Sequence, residues 1–370
     1  MKRLLYLFAL MTMTWGCGLE KEQQGYAFYL GTYTDGDSKG IYQGFLNADG
    51  TMDSLNLVAE TENPSFLSFA HHQKYLLAVG EVDVEGTGTV ESYQVVDKGL
   101  KRLSSSISGG AHPCHLSVNE TGDVLMANYS GGNVGWVKID EQGVLSDLLY
   151  TAQHHGSSIT SRQAAPHAHS IWFMDKSHAV AVDLGIDQLL FYQLNDNQLL
   201  QTDSLMLEAG AGPRHLAIHP NKEVLYVINE LNSTVSVVAK AEGDWKLLSS
   251  ISTLPDDYSN DSYCADIHIS NDGRFLYASN RGHNSIAIYQ IEEEGKNLKL
   301  IGHESVNGDW PRNFALTPDE HFLVVANQRS NNLVVFKRDE ASGLLSFKSE
   351  IEASSPVCVL MGRLVGRLLG

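Results

Sequence analysis

The chain repeats itself. Seven short stretches of β-branched and aromatic residues recur, each closing on a small or polar residue: AFYLGT from Ala27, YLLAVGE from Tyr75, VLMANY from Val124, HAVAVDL from His178, VLYVINE from Val224, FLYASNR from Phe275 and FLVVANQ from Phe322. The closing residues Gly31, Gly80, Asn128, Asp183, Asn229, Asn280 and Asn327 stand 46 to 55 residues apart. Opening strands start at Pro64, Pro113, His167, Pro213, Cys264, Pro311 and Pro356, and a further strand follows each copy, as in Thr234–Val238. Turns rich in Asn, Asp, Gly and Pro, such as His219-Pro220-Asn221-Lys222, punctuate them. No sustained 3.6-residue apolar period occurs, so little helix is expected.

A unit of about 50 residues built from short antiparallel strands is a propeller blade. The ends fit a ring. The first copy lacks an opening strand before Ala27, while Pro356-Val357-Cys358-Val359-Leu360 is an opening strand with no blade after it. Pairing the two in one blade removes two sheet edges that would otherwise be open. The expected fold is all-β: one seven-bladed β-propeller over residues 26–360, followed by a tail, 361–370, with no assigned role.

Ahead of the repeats, Lys2 and Arg3 precede the apolar run Leu4 to Met13, and Thr14-Trp15-Gly16-Cys17 follows. This is the order of an export signal, too short to span a membrane. Gly16-Cys17 resembles a bacterial lipobox, although Thr14 stands where a Leu-like residue is usual. Residues 1–16 would then be removed, Cys17 acylated, and 17–25 left as a linker. The expected location is the cell envelope, with membrane contact only through the lipid on Cys17. The alternatives are an ordinary cleaved signal, or a cytoplasmic protein if there is no signal.

The remaining Cys114, Cys264 and Cys358 are odd in number and widely spaced, which is no disulfide framework, and no C-x-x-C supports zinc. A net charge of −18 argues against nucleic acid as a partner. There is no P-loop, G-x-S-x-G or H-E-x-x-H, and no cofactor is expected.

Aligning the opening strands on their first residue places Phe66, His115, His169, His215, Asp266, Asn313 and Cys358 at one level. One step earlier stand Ser65, Cys114, Ala168, Arg214, Ala265, Arg312 and Val357. The residues after the closers are Thr32, Glu81, Tyr129, Leu184, Glu230, Arg281 and Gln328. Adjacent strands are antiparallel, so all these levels meet at one mouth of the central channel. That mouth is expected to gather His115, His167, His169, His215, Arg214, Arg281, Arg312 and Glu230, as a small-molecule site would. Asn128, Asp183, Asn229 and Asn327 read instead as ties between strands. Arg214, Glu230 and Arg281 depart from the repeat consensus, and His167 replaces the Pro found in five of the seven copies.

The segments Ala165-Pro166-His167-Ala168-His169-Ser170, Gly212-Pro213-Arg214-His215-Leu216, Asn229-Glu230 and Asn280-Arg281-Gly282, with Gly31-Thr32-Tyr33-Thr34, resemble the lactonase seven-bladed propeller family. That family includes the propeller-type 6-phosphogluconolactonases and the fungal carboxymuconate-lactonizing enzymes. The resemblance runs from Tyr26 to Cys358. It implies a metal-independent, cofactor-free lactonase acting on a small anionic sugar-acid lactone. The catalytic set it implies is His167 or His169, Arg214, Glu230 and Arg281, with His115, His215, Asn280 and Arg312 contacting substrate.

The residue chemistry fits such a reaction. Arginine's donor fork suits a carboxylate, phosphate or oxyanion, and a histidine can act as general base. Glu230 could orient an arginine or serve as the base itself. Three other readings stay open: a calcium-dependent lactonase using Asn and Asp oxygens, a muconate-type cyclising enzyme, and a non-enzymatic ligand-binding propeller of the envelope. An exported protein would rarely meet a phosphorylated lactone, which bears on the substrate.

Overall fold

A computed structural model describes residues 22–97, 99–196 and 198–368. The export signal and Cys17 lie outside the described residues. Seven four-stranded antiparallel sheets surround an axis. Blade 1 runs outward from Pro356–Leu368 through Glu22–Thr32 and Gly40–Asn47 to Asn56–Glu60. Blades 2 to 7 are each built from consecutive strands. Their innermost strands, Leu67–Ala70, Pro113–Val118, Ala168–Phe173, Pro213–Ile218, Tyr263–Ile269 and Pro311–Leu316, complete an inner ring with Pro356–Leu368. The helical turns among the described residues are two short 3-10 segments, Ser161–Gln163 and Glu293–Gly295.

The ring closes as expected, by the two ends of the chain sharing blade 1: Gly31 pairs with Cys358 and Thr32 with Pro356. The pairing continues to Glu22 opposite Leu368. Residues 22–25, expected in a linker, and 361–368, expected in a tail, are therefore strand. Gly31 is required at this seam, because a Cβ there would lie 2.3 Å from the Pro64 carbonyl oxygen of blade 2.

The apolar runs of the repeat have a simple origin. Second strands such as Val224–Asn229 and Phe322–Asn327 are buried on both faces, since each blade is covered by a neighbour on either side. Such strands carry unbroken rather than alternating hydrophobic sequence. Outermost strands such as Asp244–Ser252 alternate between exposed and half-buried residues. The core is accordingly divided into seven clusters, one at each blade–blade interface.

A recurring irregularity positions the site. Pro113 pairs with Asn128 and His115 with Ala127, leaving Cys114 as an extra, bulged residue. Arg214 and Arg312 are bulged in the same way in blades 5 and 7. In blade 4, Ala168 pairs with Asp183 and Ser170 with Val182, so the bulged residue is His169. Alignment on His167 is thus one residue out of register. His169 is the counterpart of Cys114, Arg214 and Arg312, not of His115. His167 stands one step before the strand, its carbonyl accepting from Leu184 N–H as those of Gly212 and Trp310 accept from Glu230 and Gln328. Bulges re-aim side chains out of the regular pleat.

Candidate active site

The residues that follow the bulges point into the channel and form a belt across it. Phe66 of blade 2 lies 4.2 Å from the His115 ring of blade 3 and 6.1 Å from the His215 ring of blade 5, across the axis. His115 and His215 are themselves 5.4 Å apart. Asp266 accepts from His215 Nδ1 at 2.9 Å, His268 Nε2 at 3.0 Å and Asn313 Nδ2 at 2.6 Å. Expected at the mouth as substrate contacts, His115 and His215 are instead buried in this belt. Burial holds the His115 imidazolium well below its ordinary range, and burial followed by Arg214 pulls His215 down to about 4. Both rings are neutral packing and hydrogen-bonding groups.

Above the belt opens a cavity of about 420 Å³. Its lining comes from all seven blades and one loop: Tyr33, Glu81, Cys114, Tyr129, Arg162, His169, Glu230, Tyr263, Arg281, Trp310, Arg312 and Gln328. Four expected residues line it: His169, Glu230, Arg281 and Arg312. Arg214 reaches it from beneath, through Glu230.

Glu230 is the hub of the cationic side. Its Oε2 lies 2.8 Å from Arg281 Nη2 and 3.2 Å from Arg214 Nε, and its Oε1 lies 3.1 Å from Arg162 Nη2. Burial alone would raise this carboxyl, but Arg281, Arg214 and Arg162 prevail and hold it at about 2. Burial, then crowding by Arg281 and Arg312, brings Arg214 down to about 10, still charged at neutral pH. Arg214 also donates to the Ala265 carbonyl, and Arg281 Nη2 to that of Cys264 at 2.9 Å. Across the cavity, Arg312 Nη2 donates to the Tyr33 hydroxyl at 2.6 Å, and that hydroxyl donates to Glu81 Oε2 at 2.9 Å. Burial pushes the Tyr33 phenol up, so it remains a donor.

His169 sits on the floor with its Nδ1 3.7 Å from the Cys114 sulfur. Burial, then Arg214, keeps its imidazole neutral, and burial keeps Cys114 a thiol. His167 is not among the lining residues. It stacks on Tyr129 at 4.4 Å, and its Nδ1 lies 2.9 Å from the Tyr129 carbonyl oxygen. Asn280 is also off the cavity: fully buried, it exchanges hydrogen bonds with the Thr253 hydroxyl at 2.6 Å and carbonyl at 2.8 Å. Asn128 and Asn327 tie strands likewise, through the carbonyls of Ser108 and Val306. Among the described residues, no three His, Cys, Asp or Glu side chains converge as metal ligands would.

Several lining residues lay outside the expected set. Arg162 comes from the loop between blades 3 and 4, tied down by the His154–Asp183 pair at 2.6 Å and by the Gln163 side chain on Asp187 at 2.7 Å. Its signal was the longest repeat spacing, the 55 residues from Asn128 to Asp183. Trp310 holds a left-handed φ of 67°, uncommon for a bulky residue. Its indole lies between Arg281 at 5.2 Å and Arg329 at 3.4 Å.

Sequence comparison decides the family: residues 27–361 match the description Lactonase, 7-bladed beta-propeller. The chain belongs to the lactonase seven-bladed β-propeller family. Within this lactonase family, the chain is 37% identical over 343 residues to the 6-phosphogluconolactonase of Bacillus subtilis, covering 90% of this chain and 97% of that protein. It is 36% identical over 333 residues to the 6-phosphogluconolactonase of Formosa agariphila, covering 86% and 94%. The solved periplasmic gluconolactonase of Pseudomonas aeruginosa superposes with a TM-score of 0.86 at 30% identity, covering 91% of this chain and 99% of that one. In chemical terms, the cavity of about 420 Å³ offers fixed cationic donors, a neutral imidazole and two carboxylates.

Proposed function

We propose that the protein hydrolyses a sugar-acid lactone of the gluconolactone type in this cavity. The observation that carries the reading is the gathering of Arg162, Arg281 and Arg312 around one opening, with Arg214 buried behind Glu230, in a chain of net charge −18. Such a local positive focus draws anions inward. Relatives named for lactonase activity support the same substrate class. In this reading Arg281 and Arg312 face the acid-derived oxygens and the oxyanion that forms at the lactone carbonyl, where preorganised donors contribute most. Glu230 positions Arg162, Arg214 and Arg281. His169 contributes a neutral hydrogen-bonding ring at the floor.

The test is proton release from glucono-δ-lactone and its 6-phosphate, against spontaneous hydrolysis. Wild-type protein is expected to accelerate at least one of them. Arg281→Ala should lower kcat/KM roughly 100- to 1,000-fold, the usual effect of losing one oxyanion donor. A variant with wild-type kinetics would remove Arg281 from the mechanism.

The leader sequence supports placement in the cell envelope, where an unphosphorylated lactone is the accessible substrate. On this reading wild-type protein sediments with membranes and incorporates labelled fatty acid, and Cys17→Ser does neither. Label retained in Cys17→Ser would refute acylation at that residue.

A further inference from the structure

The cavity holds two carboxylates in unlike circumstances. Both Glu230 oxygens are engaged by guanidinium groups. Glu81 instead receives one neutral hydrogen bond, from Tyr33 to Oε2, and no Arg, Lys or His among the described residues pairs with it directly. The guanidinium groups divide in the same way. Arg162, Arg214 and Arg281 are held by Glu230, whereas Arg312 forms no ion pair among the described residues and donates to the Tyr33 hydroxyl while lying 5.1 Å from that ring. Tyr33 therefore links the carboxylate and the guanidinium that lack a direct ion pair, and all three line the cavity.

Resting on the lactonase reading above, we propose that Glu81 is the general base that activates the hydrolytic water, with Tyr33 fixing its carboxylate and Arg312 facing the developing oxyanion. The competing bases are poorly suited. Glu230 is stabilised as a carboxylate by three cations, so taking up a proton would break up its cluster. Protonating His169 is opposed by burial and by Arg214. Glu81 is only half-buried and anchored at its backbone, its N–H donating to the Asn63 carbonyl at 3.0 Å. Its Oε1 is the oxygen not engaged by Tyr33.

The step balances. Glu81 takes one proton from water as the water oxygen bonds to the lactone carbonyl carbon, and the carbonyl π electrons move to the oxygen facing Arg312. When the tetrahedral intermediate collapses, the ring C–O bond breaks, and the departing alkoxide takes the proton from Glu81. The product is the hydroxy acid, which ionises to solvent.

The experiment uses full-length protein and the lactone that wild type hydrolyses fastest. Glu81→Gln keeps the Tyr33 contact but removes the base, and should lower kcat at least about 100-fold with KM within threefold. Added formate should restore turnover to Glu81→Ala, which a purely structural role would not allow. A Glu81→Gln protein retaining a third or more of wild-type kcat overturns the proposal and leaves the lactonase reading standing. A wild type no faster than spontaneous hydrolysis removes both. If Gln prevents folding, natively folded Glu81→Asp must lose kcat for the proposal to hold, and wild-type turnover from it overturns the proposal.

Discussion

Glu230→Gln is expected to destabilise the protein by about 3–5 kcal/mol, because it removes the carboxylate from a buried cluster and leaves its guanidinium partners unpaired. The side chain keeps its shape, so packing contributes little to the loss. Arg214 and Arg281 are almost wholly buried, while Arg162 is half exposed and can turn to water. The measurement is a denaturant midpoint for the single variant and for Glu230→Gln with Arg214→Met. Removing one stranded cation should recover part of the deficit, a coupling that a double-mutant cycle isolates. A single variant within 1 kcal/mol of wild type would mean that the cluster does not depend on its carboxylate.

The same residue sets a pH dependence. Its folded value of about 2 lies below the ordinary 4.5, so the stability it contributes is fully present above pH 4.5. That stability is lost as pH falls from there through about 2. Glu230→Gln should show a flatter stability curve across that interval.

Glu230, Arg214 and Arg281 were legible in the sequence because they put charge at levels where other copies carry uncharged residues such as Thr32, Leu184, Ala265 and Val357. The ring was legible for a related reason: burial on both faces writes the same apolar run seven times. Register was harder. A bulge adds a residue without changing composition, so His167 and His169 could not be told apart until the pairing of Ala168 with Asp183 showed which is the extra residue. His115 and His215 were misplaced by a simpler ambiguity. Strand alternation gives a side chain's face but not its depth along the axis, and the belt lies deeper than the mouth. Asn280 followed the other closers into a strand tie. Trp310 and Arg162 belong to connecting segments, which the repeat does not constrain.

Deleting residues 356–370 is expected to turn the folded protein into aggregate. Blade 1 would lose its innermost strand, exposing one edge of Glu22–Thr32 and uncovering apolar residues on both sides of the seam, including Tyr29, Leu67 and Val359's neighbours Phe28 and Leu30. An unpaired, apolar edge recruits other chains. Deleting only residues 365–370 leaves Tyr29, Leu30 and Gly31 paired with Leu360, Val359 and Cys358, and should preserve the size of the full-length protein. Size-exclusion chromatography of both truncations gives the answer. Folded protein of unchanged size from the longer deletion would show that the remaining six blades hold the circle shut unaided.

Because Phe66, His115 and His215 meet across the axis, the bore is a blind well rather than a tunnel. Whatever enters must depart by the same doorway, against incoming traffic. On the lactonase reading, an opened acid still in the well bars the next lactone until it has left.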